Sequence, residues 1–133
     1  MAEPIWLDKA LVLALYDDVV VASGGAVGLR DEGLLESALA RPMNRRLYES
    51  VDDTLELAAT YGVGIASNHP FVDGSKRMAF IAVGQFLEDN GIVLTATDED
   101  ATAVMLGVAA GSVGIDDLTV WLRSRTLRSH RPG

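Results

Sequence analysis

Cysteine is absent from this chain, which excludes a disulfide framework and a thiolate metal site and leaves the redox compartment open. Histidine occurs only as His69 and His130, and no H-E-x-x-H string is present, so an all-protein zinc centre is not expected. Long apolar runs are also missing. The stretch from Ala10 to Tyr16 stops at Asp17-Asp18, and no basic segment precedes it. Neither a signal peptide nor a membrane span is expected, and the cytoplasm is the default location. Positive charge is scarce: 11 Lys and Arg stand against 19 Asp and Glu, a net charge of −8. Arg123, Arg125, Arg128 and Arg131 lie in the last eleven residues, leaving 7 basic against 19 acidic residues, or −12, on the body. Such a body repels a polyphosphate backbone, so direct nucleic-acid binding is not expected. The basic tail, about 124–133, reads as a solvated, frayed terminus, the other reading being contact with an acidic partner.

Phosphate-binding fingerprints of the common kinds are lacking too. Gly62-x-Gly64 has no third Gly for a dinucleotide fold, and Gly74-Ser75-Lys76 lacks the upstream Gly and trailing Ser or Thr of a P-loop. No internal repeat or low-complexity segment interrupts the chain.

What is present is a hydrophobic content of 49% over 133 residues. That suits one domain, 1–133, whose Ala-, Leu- and Val-rich core buries ~65–70% of the unfolded surface. The periodicity is helical. Leu7, Leu11, Ala14 and Leu15 predict a first helix from about 5 to 22, ending before Ser23-Gly24-Gly25, with a strand still open for Val19-Val20-Val21. Asp31 caps a second helix through Ala40, and Pro42 is expected to stop it. A polar loop, 43–53, follows; Tyr48 on it is either a target contact or a surface packing residue. A third helix spans Thr54 to Ser67, where Gly62 and Gly64 permit a tight crossing. The fourth, about 74–90, is apolar nearly all round and is expected to be the central buried element, with Gly91 ending it. A short extended stretch at Ile92 to Thr95 precedes a fifth helix capped by Thr97 or Asp98. Asp116 or Asp117 starts a sixth, with Leu118, Trp121 and Leu122 turned inward. The expected fold class is an all-α six-helix bundle.

The chemistry concentrates in nine residues, His69-Pro70-Phe71-Val72-Asp73-Gly74-Ser75-Lys76-Arg77. They place an imidazole, a carboxylate, a small-residue turn and two cations just before the fourth helix. The first amides of a helix have no partner within it, and its dipole puts positive potential at the same end. Anions settle there. Gly74 lets a ligand approach, while Ser75, Lys76 and Arg77 add a hydroxyl and two charges. Asp73 is either a plain N-cap or a ligand for Mg²⁺, which keeps waters and takes few protein carboxylates alongside substrate phosphates. His69 is either a backbone-bonded loop residue or a general base, a role suited by the ~6.5 pKa of an unperturbed imidazole. Lys76 and Arg77 are either solvated or matched to an anion, and in a first turn they oppose the dipole unless one binds. Phe71 reads as the anchor of the loop.

The string from His69 to Arg77 resembles the H-x-F-x-D-G-N-K-R signature of the Doc (death-on-curing) toxins, a branch of the Fic superfamily. Leu29-Arg30-Asp31-Glu32-Gly33-Leu34-Leu35-Glu36-Ser37-Ala38-Leu39-Ala40-Arg41-Pro42 is similar to a second segment common in that family, and Phe86-Leu87-Glu88-Asp89-Asn90-Gly91 to a third. The resemblance spans nearly the whole chain. It implies a Fic/Doc-type bundle in which His69 is the base, Asp73 the Mg²⁺ ligand, and Gly74, Ser75, Lys76 and Arg77 the cradle for the phosphates of ATP. Fic enzymes that transfer AMP have Gly in place of Lys76 and a second Arg in place of Phe80. The resemblance therefore implies a protein kinase of the Doc type, acting on a hydroxyl of elongation factor Tu and arresting translation. It also implies a small Phd-like antitoxin protein as partner, since no [ST]-x-x-x-E-[GN] self-inhibitory string is present. One position departs from the signature: Ser75 stands where the family has Asn. A hydroxyl there can donate one hydrogen bond to a phosphate oxygen, where a carboxamide NH₂ offers two. AMP transfer and a non-catalytic binding module are the two other functions this pattern leaves open.

Overall fold

The computed structural model describes residues 3–23 and 28–128. It is a six-helix bundle with one small sheet: α1 Lys9–Ser23, α2 Glu32–Glu49, α3 Thr54–Asn68, α4 Ser75–Asp89, β1 Ile92–Leu94, α5 Asp98–Ala109, α6 Ile115–Arg123 and β2 Thr126–Arg128. The all-α class and the order of elements match the sequence expectation. Among the described residues no helix is long and apolar enough to cross a membrane.

Helix starts follow their capping residues. Asp31 accepts the Leu34 amide at 3.0 Å, Asp53 the Leu55 amide at 3.0 Å, and Thr97 the Asp100 amide at 3.1 Å. Each side chain satisfies a donor that its helix leaves open. Helix α6 instead begins after Gly114, so Asp116 and Asp117 sit in its first turn rather than capping it.

Several further expectations are corrected. The first helix starts at Lys9, not near residue 5, because the preceding segment is held extended: Asn90 exchanges hydrogen bonds with the backbone of Ile5, and Tyr61 Oη accepts the Leu7 amide. Val19 and Val20 are helical, whereas Gly24 and Gly25 lie outside the described residues. Pro42 does not stop α2; it is buried inside the helix, which runs on to Glu49 and ends at Ser50 in a left-handed conformation. Arg45 anchors this extension, donating to Thr60 Oγ1 at 3.0 Å and pairing with Glu56 at 3.1 Å. Tyr48 therefore lies on a helix, exposed to solvent. Part of the tail expected to be frayed is instead a strand, with Val93 of β1 opposite Leu127 of β2 in an antiparallel pair. His130 and Arg131 lie outside the described residues.

The central helix is α3 more than α4. Ten of its 15 residues are buried, against seven of 15 in α4. Its small side chains are the reason. A Cβ added to Gly62 would stand 2.8 Å from Val83 Cγ2 of α4, and one on Gly64 would stand 3.3 Å from Ala38 Cβ of α2. Neighbouring helices thus close on α3 from both sides. Helix α4 packs Met78, Ala79, Ala82, Val83 and Phe86 inward and leaves Lys76 and Arg77 of its first turn at the surface.

Tyr61 sits in this core, its ring 5.0 Å from that of Phe86 and its hydroxyl receiving the Leu7 amide at 3.1 Å. Burial pushes the phenol up from 10.0 to about 12, the Leu7 bond opposing the shift. Between those values the unfolded phenol ionises while the folded one keeps its proton. Stability from this group is therefore intact below pH 10 and falls as pH rises towards 12, by about 2–3 kcal/mol in all. Urea unfolding across that window should show the decline in the native chain, and Tyr61→Phe, which cannot ionise there, should lose that part of the slope.

Candidate functional site

Residues 69–73 cross from the end of α3 to the start of α4, and three groups fix their path. Residues 28–31 lie alongside: Leu29 and Phe71 form an antiparallel β-bridge, Val72 N–H donates to Gly28 O at 2.9 Å, and Arg30 N–H donates to Pro70 O at 2.7 Å. The Tyr16 ring of α1 stacks on Phe71 with centroids 3.9 Å apart, and its hydroxyl donates to Asp73 O at 2.9 Å. Ser75, at the start of α4, is buried, and its Oγ accepts the Phe71 amide at 3.2 Å. Phe71 is the anchor its sequence position suggested, 2% exposed between Tyr16 and Ser75.

Around this fixed loop His69, Asp73, Gly74, Ser75, Lys76 and Arg77 all line one cavity of about 900 Å³. The six residues singled out in the sequence are thus brought together. His69 is the C-cap of α3, with φ 48° and ψ 56°, and its side chain is exposed. Its imidazole has no hydrogen-bond partner among the described residues, so both ring nitrogens are open to a ligand. Asp73 is exposed and accepts the Gly74 amide through Oδ1 at 2.8 Å, leaving Oδ2 uncommitted. It is not the N-cap of α4; that position is Gly74, at φ 84°, which offers no side-chain cap. The amides of Ser75, Lys76 and Arg77 have no acceptor among the described residues, the first backbone bond of α4 being Met78 N–H to Gly74 O at 2.9 Å.

Helix α4 therefore differs from α2, α3 and α5 in lacking a side-chain cap, and from α6 in lacking an acid in its first turn. Lys76 and Arg77 add charge of the same sign as the dipole end. Such a mouth is matched to an oligo-anion, whose oxygens would meet three open amides and two cations. Mg²⁺ fits beside it. No group of three or more His, Asp or Glu able to hold a metal occurs among the described residues. A cation that keeps its waters and takes phosphate oxygens needs only the free oxygen of Asp73.

Ser75 departs from expectation in one respect. Its hydroxyl is turned to the Phe71 backbone, so only its amide is left for a phosphate. Sequence reasoning missed Tyr16 and Arg30 as site residues. Arg30 lines the cavity and was visible only as one letter of the second resembling segment. Tyr16 carried no signal. Of the opposite wall, formed by Phe80 and Ile81 of α4 and by Asp98, Ala101, Thr102, Met105 and Leu106 of α5, only Phe80 had been marked in the sequence for its bearing on function.

Comparison with known proteins covers most of the chain. The model of the Fic/DOC family matches residues 6–87. A protein of Escherichia phage P1 named protein kinase doc is 33% identical over 112 residues, covering 84% of this chain and 88% of its own. The toxin Doc of Mycolicibacterium smegmatis is 37% identical over 121 residues, covering 88% of this chain and 90% of its own.

Ser75→Ala should cost about 1–3 kcal/mol, because it leaves the buried Phe71 amide without its acceptor. Urea unfolding measures the loss, and an unchanged midpoint would show that the hydroxyl is not holding the loop.

Proposed function

The chain belongs to the Fic/DOC family, and from that premise we propose that it is a Doc-like toxin that transfers the γ-phosphate of Mg²⁺-ATP to a hydroxyl of a translation factor, elongation factor Tu. The observation that carries this reading is the convergence on one cavity of an unpartnered imidazole, a carboxylate with a free oxygen, and an open helix start with two cations. The name of the phage relative, a protein kinase, supports a phosphotransferase in general.

The protein has little covalent chemistry to supply in such a reaction, since catalysis rests on positioning and on stabilising charge on the moving group. The amides of Ser75, Lys76 and Arg77 and the two side-chain cations hold the phosphate oxygens. Bound Mg²⁺, held at Asp73, would neutralise charge on those oxygens. His69 takes the proton of the target hydroxyl as that oxygen bonds to the γ-phosphorus, the bond to the bridging oxygen breaks, and ADP leaves. That His69 and Asp73 flank the buried Phe71 and line one cavity supports their acting on the same ligand. Arrest of translation is the cellular outcome, and a Phd-like antitoxin protein is the partner that restrains it.

Incubation with elongation factor Tu and ATP labelled separately at the α- and γ-phosphorus tests the reaction. Label from γ on the target is expected; label from α would mean AMP transfer, and neither would remove the assignment. His69→Ala should lower transfer by about 10²–10⁴-fold while nucleotide still binds, as expected when a general base is lost. Asp73→Ala should weaken nucleotide binding in Mg²⁺ and leave metal-free binding nearly unchanged, a difference that calorimetry with and without the cation reads directly.

A further inference from the structure

We propose that Arg30 is the positioning residue for His69, a role that rests on the phosphotransfer reading and goes beyond it. One residue grips three consecutive carbonyls around the imidazole. Arg30 Nη2 donates to Asn68 O at 3.0 Å, Nε to His69 O at 2.7 Å, and the Arg30 amide to Pro70 O at 2.7 Å. The peptide planes on both sides of His69 are thereby fixed from a single point.

That matters because no group among the described residues hydrogen-bonds the ring itself. A histidine that works as a base is commonly held by a hydrogen bond to its second nitrogen. The His69 imidazole has no such partner among the described residues, so the restraint on where it can reach is its backbone, which sets the Cα–Cβ direction. That backbone is left-handed at φ 48°, a conformation that a residue with a Cβ does not favour. It must be held from outside. The last turn of α3 carries no basic residue of its own, so the cation that meets its terminal carbonyls comes from Arg30. Arg30 is in turn fixed by its place next to Asp31, the N-cap of α2, whose amide also donates to Pro70 O at 3.0 Å. Asn68 closes the arrangement by donating from Nδ2 to Leu34 O at 3.1 Å. The guanidinium is suited to this because its donors form a rigid planar fork that spans two adjacent carbonyls, whereas an ammonium is a point charge.

The test compares Arg30→Met and Arg30→Lys with the native chain. Phosphoryl transfer gives kcat and KM, calorimetry gives nucleotide affinity, and backbone chemical shifts at residue 69 report its conformation. Arg30→Met should lower kcat by about 10²-fold, the size of effect produced by a small misplacement of a reacting group. KM and affinity for nucleotide should change by no more than a few-fold, as expected for loss of one exposed cavity-lining charge, and the shifts at His69 should leave the left-handed range. Arg30→Lys should fall between, since one ammonium reaches one carbonyl at a time. Loss of nucleotide affinity with kcat retained would overturn the proposal in favour of a direct phosphate contact, and Arg30→Lys with native kcat would overturn the fork. If Arg30→Met does not fold, the lysine variant decides by the same two readings. Should the native chain transfer no phosphate at all, the phosphotransfer reading fails. The shifts at residue 69 then still show whether Arg30 holds the loop.

Discussion

The site depends on how the chain is held as it leaves α3 and enters α4. Between Asn68 and Ser75 the backbone makes no regular structure of its own, so its polar groups need partners from elsewhere. They find them in residues 28–31 on one side and in the hydroxyls of Tyr16 and Ser75 on the others. The Tyr16–Phe71 stack then removes the aromatic side chain of the loop from water. Aromatic pairs in this geometry add about 0.5–1.5 kcal/mol beyond their buried area. The consequence for chemistry is that Phe71 points inward while His69 and Asp73 lie exposed on either side of it.

A second constraint is electrostatic. Uncapped amides and basic residues at a helix start are each unfavourable alone, the like-signed charges by about 0.3–1 kcal/mol per residue at low ionic strength. Helix α4 accepts both in its first turn, whereas α2, α3 and α5 begin with conventional caps. Its compensation lies further along, where Met78, Ala79, Ala82, Val83, Phe86 and Leu87 are buried. At roughly 1.5–3 kcal/mol for each large apolar side chain, that burial outweighs the cost at the mouth several times over. Stability is held by the middle of the helix, and Lys76 and Arg77 of its first turn stay exposed with its amides open.

Much of this was legible because it is local. Nine consecutive residues spell out the loop and the helix start, and their spacing alone brings the imidazole, carboxylate and cations to one end of α4. The helices themselves follow from periodicity and caps, as at Asp31 and Thr97. What local reading could not supply came from distant segments. Tyr16 reaches Asp73 across 57 residues and Arg30 reaches His69 across 39, and neither pairing leaves a trace in spacing. Pro42 misled for a related reason: a local rule against proline in helices was overridden by Arg45, whose partners lie on α3. Hydrophobicity pointed to α4 as the innermost helix, but the small residues of α3 decide how closely neighbours pack. Strand β2, half-exposed at Thr126 and exposed at Leu127 and Arg128, has no buried face to announce it and exists through its pairing with β1.

The charge of the whole molecule and that of the mouth have opposite signs, and the scale of screening reconciles them. The chain carries −8 overall, which on its own would repel a nucleotide triphosphate. At physiological salt, charges beyond about 8 Å of water are largely screened. A ligand entering the cavity therefore feels mainly the groups that line it. On the loop side these are Arg30, Lys76 and Arg77 with the open amides of α4, against Asp73 there and Asp98 on the facing wall. An anion at the helix start meets a positive field even though the protein around it is acidic.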